Sequence, residues 1–499
     1  MVTIRRLLFA ATLALAGRAA ATPGYEVRSI LTANSPTSSR SPTWKPGAGI
    51  ALEVSGMDFM ADGKLAVAIR KGEVWMLDRV DGPAANVGFK LFASGLHEPL
   101  GVLRDGDSLL VAQRTEVTRL RDTNSDGVAD EYLTAGRGWN VSGSYHGYTY
   151  GPKRDGQGRL WVTLNLDMGD HSKNDVGWRG WGGIVGPDGQ FQPMAAGMRS
   201  PCGLGANLAG DMFCVDQQGT WIPATPIYHL RRGVFFLNPE GLASQDRPGS
   251  PLKLSAPIPN KVPYPDAIRA LPEMAPPAVW LPYNKVGRSG TDIVGIDQSG
   301  RFGPFDGQLL VGEFSDAKVS RVFLEKVEGQ YQGAAMPFLA GFASGVVRLL
   351  FGPDGSLFVG MTSRGWSSLG THSYGLQRVS WTGEMPFALR EMRARPDGFE
   401  LVFTGEIDPA TGGDPASYSM KSYTYLYSGA YGSAEIDERR LTVTVAALSA
   451  DRRSVDLKIA GLRELYVHEL RAGGVRSAGG KALAQPDAYY TLNRIPNGR

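Results

Sequence analysis

The chain has little of what usually makes chemistry easy to recognise. Its 499 residues include two cysteines and six histidines. No Cys-x-x-Cys-His run occurs, which excludes covalent attachment of a c-type haem. A nucleotide-binding glycine loop, a G-x-S-x-G nucleophile elbow and zinc-ligand spacing are all missing, so those routes to catalysis find no support. Charged residues make up 20% and long helical heptads are absent. Glycine, by contrast, is abundant at 65 residues. That balance suits an all-β protein with many turns.

The N-terminus reads as a secretory signal peptide over residues 1–21. Arg5 and Arg6 form a basic start, residues 7–16 an apolar run too short to cross a bilayer, and Ala19-Ala20-Ala21 a small-residue cleavage site. The expected location is therefore periplasmic or secreted, with no membrane span. The formal net charge is +3, and Arg5, Arg6 and Arg18 account for all of it. The mature chain is neutral, and nothing points to nucleic acid or an anionic membrane as partner.

A degenerate repeat organises the middle of the chain. It begins at Gly56, Leu100, His146, Cys202, Val294 and Val346, as in "GMDFMADGKLAVAIRKGEVWML" and "VVRLLFGPDGSLFVGMTSRG". Each copy has a short apolar strand, a Gly/Asp turn and a strand expected to alternate with period two. Such a unit cannot bury both sheet faces alone, and units of this length stack radially into a β-propeller. Six copies predict a six-bladed propeller over residues 49–381. A Pro-rich insertion between Cys214 and Val294 is long enough to leave a seventh blade open. Residues 22–48 read as a lead-in segment. After Trp381 the repeat stops, and residues 382–499 read as an immunoglobulin-like β-sandwich. The two cysteines, Cys202 and Cys214, would face each other across a hairpin centred on Leu208, and an oxidising compartment would allow a disulfide.

In a propeller the first strand of every blade lines the central channel, so residues just before those strands converge at one mouth. His97, Glu98, His146, Arg199, Arg288 and Ser289 hold such positions, with Arg348 inside the sixth first strand. Arginines gathered there need carboxylates or an anionic ligand, and the planar guanidinium suits a polycarboxylate or phosphate. The plainer reading is that single arginines bridge blades through backbone carbonyls. His146 at such a mouth can be a base near neutral pH or a satisfied structural histidine. Elsewhere, Asp122, Asn124, Asp126 and Asp130 space oxygen ligands like a Ca2+ loop, although the twelfth position is Leu133. The alternative is an Asx-rich turn. Trp181 reads as core, Trp178 as core or sugar-stacking, and Asp216, Gln217 and Gln218 as turn formers or mouth-lining groups.

These residues carry a family resemblance. His146 followed by "YGP" and "GRLWVT", then "GMRSPCGL" and "FGPDGSLFVG", resemble the soluble sugar-dehydrogenase propellers that use pyrroloquinoline quinone (PQQ), especially the sorbosone-dehydrogenase-like branch. "PDGFELVFTGEIDPATGGDPASYS" and "AYYTLNRIP" look like the tail of large bacterial exported proteins carrying the same propeller. The resemblance implies PQQ over the channel mouth and a sugar, sugar-derived aldehyde or alcohol as substrate. It implies His146 as the base that takes the alcohol proton, and Arg199 in the arginine position of the family's R-N-P motif. Here Ser200 replaces the asparagine and Cys202 the usual polar residue. Arg288 and Arg348 match the family's later cofactor-binding residues approximately. Without a haem site, electrons would leave to a separate acceptor. The competing expectations are a non-catalytic carbohydrate-binding propeller and a metal-assisted lyase or hydrolase.

Overall fold

The computed structural model describes residues 22–32, 51–141, 143–168 and 177–498. The signal-peptide reading of residues 1–21, and most of the lead-in beyond residue 32, lie outside them. The described chain is an all-β, propeller-like fold. No helix among the described residues is long and apolar enough to cross a membrane.

Six antiparallel sheets follow one another along the chain. The first runs Val54–Phe59, Leu65–Ile69, Glu73–Asp78 and Gly88–Ala93, and the second starts at Val102–Asp105 and ends at Glu131–Gly136. The next four begin with Thr149–Arg154, Gly203–Ala206, Gly290–Gly295 and Val346–Phe351. These six first strands touch in cyclic order, and the sixth contacts the first. Gly56, Gly101 and Gly151 permit that approach. A Cβ on Gly101 would lie 1.7 Å from the Gly151 carbonyl oxygen, and one on Gly56 would lie 2.7 Å from the Gly101 backbone.

Stacking also explains a departure from the expected alternation. The second strands, such as Leu65–Ile69, Leu160–Leu164 and Leu357–Thr362, are buried at every position. A neighbouring sheet covers each of their faces, so they read as continuous apolar runs rather than alternating ones. Tryptophans fill the space between sheets: Trp75, Trp161, Trp181 and Trp280 are each at most 1% exposed. Trp178, 8% exposed, packs edge-on against Trp181 at 5.1 Å, so it too belongs to the core.

The lead-in contributes structure of its own. Tyr25–Thr32 pairs antiparallel with Tyr374–Trp381, bringing Tyr25 opposite Trp381, and forms the outer strand of the sixth sheet. Ile30 and Leu31 are buried there at 1% exposure. The Pro-rich insertion is shared between neighbours. Val234–Phe235 adds a parallel fifth strand to the third sheet, and Val279–Leu281 completes the fourth after Thr225–His229. Between them lies the short helix Tyr264–Ala270.

The tail joins the fifth sheet directly. Its strand Asp487–Leu492 pairs with Gln330–Ala340, and Tyr466–Arg471 and Ser419–Tyr427 continue the same sheet outward. A separate four-stranded sheet, from Leu389–Arg395 to Val443–Leu448, shares a hydrophobic core with that extension through Phe399, Leu401, Leu470 and Tyr490.

The expected disulfide is not formed; Cys202 and Cys214 are free and buried. The register supplies the reason. Leu204, not Cys202, lies opposite Cys214, so the hairpin turns one position later than the sequence suggests. The cysteines are offset diagonally, where side chains stand about 7–8 Å apart.

Two outcomes follow for stability and redox state. Leu31→Ala should lower the urea-unfolding free energy by roughly 2–5 kcal/mol, the range for deleting a buried leucine side chain. Thiol titration of protein prepared without reductant should find both thiols in denaturant and neither in the native state.

Candidate active site

A cavity of about 430 Å3 opens where the first strands begin. His146, Arg199, Arg288 and Arg348 all line it, and so do Gln217, Gln218 and Ser289. The convergence expected of residues preceding first strands is thus found in the structure. His97 is exposed and does not line the cavity, while Glu98 acts behind the wall.

A recurring device fixes the loops that enter the first strands. The residue at the end of a second strand accepts hydrogen bonds from backbone amides just ahead of a first strand. Gln113 Oε1 accepts from the His97 amide at 2.6 Å, and Glu313 Oε1 from the Ser289 amide at 2.5 Å. Asp216, fully buried, accepts from the Arg199 amide at 2.7 Å, the Ser200 amide at 2.6 Å and the Gln217 amide at 2.7 Å. Burial pushes the Asp216 carboxyl up to about 6 and that of Glu313 up to about 7.

The His146 loop is clamped from beneath. Arg114 donates to the carbonyls of Ser144 at 2.8 Å and Tyr145 at 2.7 Å. Its Nε donates to Glu98, which also accepts from Arg70 Nε at 3.1 Å. Arg179, 2% exposed, donates to the carbonyls of Asn140, Tyr148 and Arg114. Burial lowers its guanidinium to about 10. The His146 ring lies 5.3 Å from the Tyr145 ring and 6.1 Å from that of Trp366. Partial burial is the largest influence on the imidazole, followed by the positive charges of Arg199 and Arg114. Together they hold its pKa below the ordinary 6.5, with Asp167 acting the other way. The ring is neutral at physiological pH and available as a proton acceptor.

The arginines differ in what they have left to offer. Arg348 is 5% exposed and donates to the carbonyls of Thr291 at 3.1 Å, Val347 at 2.7 Å and Leu100. Expected as a cofactor anchor, it instead ties first-strand backbones together at the floor. Below it the hub narrows to about 10 Å3. Arg288 sits at the rim, 3.2 Å from the Tyr283 hydroxyl and 3.6 Å from Asp316. Arg70 pairs with Glu98, and Arg364 with Glu53 at 2.5 Å. Arg199 and Arg348 have no carboxylate within ion-pair distance among the described residues, but the donors of Arg348 go to backbone carbonyls and those of Arg199 do not. The contacts of Arg199 are the Ser200 hydroxyl at 3.4 Å and the Tyr431 ring at 5.3 Å.

The sequence reading missed Arg70, Arg364, Trp366 and Tyr431. Arg70 and Arg364 stand one and two residues past the second strands Leu65–Ile69 and Leu357–Thr362, but Ile69 and Met361 hold the positions equivalent to Glu313 in the repeat. Tyr431 comes from the tail, where Thr220 bridges to it and the Trp221 amide donates to Ala430. Nothing in the repeat could have placed it at the mouth.

The Ca2+ reading of Asp122, Asn124, Asp126 and Asp130 finds an Asx-rich turn between the third and fourth strands of the second sheet. The Asp126 and Gly127 amides donate to Asp122, the Val128 amide to Asp126, and the Thr123 amide to Asp130. The loop's oxygens satisfy its own backbone rather than meeting at one point. No group of three or more His, Cys, Asp or Glu among the described residues is arranged to hold a metal ion.

Residues 54–246 match the model of a domain of unknown function, DUF7133. No curated protein matches the sequence. Among solved structures, the chain is similar to a Thermus thermophilus oxidoreductase titled as a glucose dehydrogenase. Identity is 16% and the TM-score 0.49, over 71% of this chain and 100% of that one. The PQQ-bound aldose sugar dehydrogenase of Streptomyces coelicolor gives 12% and 0.48, over 72% and 99%. The apo-form aldose sugar dehydrogenase of Escherichia coli gives 14% and 0.44, over 72% and 99%. Such identities and scores are too low to carry an activity from those proteins to this one.

The electrostatics of His146 can be tested without turnover. Its imidazole resonances should titrate below pH 6.5. In Arg199→Gln the midpoint should move up, because removing a neighbouring positive charge eases protonation. An unmoved midpoint would separate Arg199 from His146.

Proposed function

We propose that this protein is an exported, quinoprotein-like oxidoreductase built on a six-bladed β-propeller, whose fifth blade runs on into an immunoglobulin-like β-sandwich. Its substrate is a sugar, a sugar-derived aldehyde or an alcohol. One observation carries the reading: a neutral, loop-clamped His146 shares a cavity with a guanidinium, Arg199, that has no carboxylate within ion-pair distance among the described residues. A cationic wall awaiting acceptors beside a proton acceptor suits an anionic cofactor with substrate above it.

The residues present fit PQQ in this respect. Its carboxylates supply the acceptors that Arg199 lacks, with Arg288 at the rim as a second donor. Bound there, PQQ supplies the two-electron acceptor for a hydride. The protein's share is positioning and proton management. His146 takes the substrate hydroxyl proton as the carbon–hydrogen pair leaves as hydride, so the product is a carbonyl and the imidazole becomes imidazolium. Arg199 and Arg114 disfavour that cation, which speeds its return to the neutral base. Arg114 and Glu98 hold the loop so that the ring does not rotate away. Trp366 and Tyr431, 51% and 68% exposed, offer aromatic faces at the mouth for a sugar ring. A separate acceptor would take up the electrons.

The test is titration of the purified protein with PQQ, with and without Ca2+, followed by turnover on aldoses and alcohols with an artificial electron acceptor. Saturable quinone binding and sugar-dependent turnover are expected. His146→Gln should keep the binding and lose about 10²–10⁴-fold in kcat, the range for a positioned general base. Arg199→Gln should instead weaken quinone binding roughly ten- to hundredfold, as for loss of a charge-assisted hydrogen bond. Absence of quinone binding to the folded protein would overturn the proposal.

A further inference from the structure

The tail loop between strands Ser419–Tyr427 and Glu435–Leu441 is stapled to the propeller. It lies on the loop between the second and third strands of the fourth sheet, Met212–Val215 and Thr225–His229. The Trp221 amide donates to the Ala430 carbonyl at 3.2 Å, the Gly432 amide to the Gly219 carbonyl at 3.0 Å, and the Ser433 amide to the Pro223 carbonyl at 3.0 Å. These main-chain hydrogen bonds fix the backbone on both sides of Tyr431. Gly432, at φ +68°, makes the bend, and a Cβ on it would lie 2.8 Å from the Gln218 side chain.

That loop carries Tyr431 to Arg199. The guanidinium carbon lies over the ring, 5.3 Å from its centroid. On the propeller side, Gly219 lets the arginine lie along the loop backbone, since a Cβ there would come 2.2 Å from Arg199 Nε. Asp216, just ahead of the same loop, holds the Arg199 amide at 2.7 Å. The main chain of Arg199 is thus fixed by Asp216, and its head group borders Gly219 and Tyr431.

How a guanidinium is held decides what it can still bind. A carboxylate takes up the in-plane N–H donors, and those donors are then spent. An aromatic ring attracts the cation through its π face and uses none of them. Arg288 also lies over a tyrosine, Tyr283 at 5.5 Å, but Asp316 and the Tyr283 hydroxyl draw on its donors. Arg70 and Arg364 face Glu98 and Glu53. Arg199 keeps its donors apart from the 3.4 Å contact with Ser200. The Tyr431 side chain is exposed, so packing within the tail does not call for a tyrosine there. We propose that Tyr431 is a positioning residue: carried in from the tail, it holds the Arg199 guanidinium by its face and leaves the N–H groups free for an anion at the mouth. The mouth site is therefore assembled from propeller and tail together. Identifying that anion as PQQ rests on the oxidoreductase reading; the positioning does not.

The experiment is NMR relaxation of the arginine Nε–H groups in the full chain, with the Arg199 signal identified by its loss in Arg199→Gln. That signal should report a restrained side chain in the unaltered protein and in Tyr431→Phe, which keeps the ring, and a fast-moving one in Tyr431→Ala. Titration with PQQ gives a second readout. Tyr431→Ala should weaken PQQ binding about two- to fivefold, the scale of an exposed cation–π contact, and Tyr431→Phe should bind it like the unaltered protein. In an Arg199→Gln background, Tyr431→Ala should cost nothing further. Equal Arg199 mobility with and without the ring overturns the proposal. So does a Tyr431→Ala loss that persists in the Arg199→Gln background, which would make Tyr431 a direct ligand contact. Failure of PQQ to bind the unaltered protein removes the oxidoreductase reading and leaves the relaxation result to decide the positioning.

Discussion

The structure turns on how closely six first strands can approach one another, and on the charge that occupies the point where they meet. Glycine backbones let neighbouring strands come within a distance that forbids a side chain, as Gly101 does against Gly151. Into the remaining space the sixth sheet inserts Arg348, whose guanidinium reaches carbonyls of the second, fifth and sixth sheets. Burying that charge would be prohibitive without those acceptors, and the carbonyls would otherwise lack donors. The floor is therefore both a lock and a stopper. It turns a channel into a cup, and the mouth chemistry sits on top of it.

The cup is dressed by a single recurring idea. Three first strands are entered by loops pinned from behind, and the acceptors Gln113, Asp216 and Glu313 at the ends of second strands do the pinning. Where that acceptor is Asp216 or Glu313, a buried carboxyl holds the amides of the loop in front of it. In the first sheet Ile69 holds that position, and Arg70, one residue further on, turns into the cavity wall and takes Glu98 as partner. Position in the repeat fixes the place of a residue, and the choice of residue fixes whether it faces inward as a positioner or outward toward a ligand.

Much of this was legible in the sequence because the repeat converts distance along the chain into proximity in space. His146, Arg199 and Arg288 share a cavity because each stands just ahead of its unit's first strand, and Arg348 joins them from within the sixth. The role of Arg348 was not legible, since phase does not say whether carbonyls or a ligand will take its donors. The thiol pair was misjudged by a single position in one hairpin, because a turn's centre moves a residue's partner by two. Strand Tyr25–Thr32 and residue Tyr431 were missed for a common reason. Both join the ring by pairing with strands or loops far away in sequence, and neither carries the repeat's turn signals. The second strands, expected to alternate, are apolar throughout because neighbours cover both faces, a fact of the assembly rather than of the strand.

The outer strand of the sixth sheet sets the order in which the chain can mature. It lies near the start of the described chain, yet its partners are about as remote as the fold allows; the Thr382 hydroxyl donates to the Gly24 carbonyl across 358 residues. The ring cannot shut until nearly four-fifths of the polypeptide has emerged, and until then an apolar edge waits exposed. Contacts so non-local make acquisition of the native state slow. Until that strand pairs, Tyr374–Trp381 is left as the unpaired outer edge of the sixth sheet.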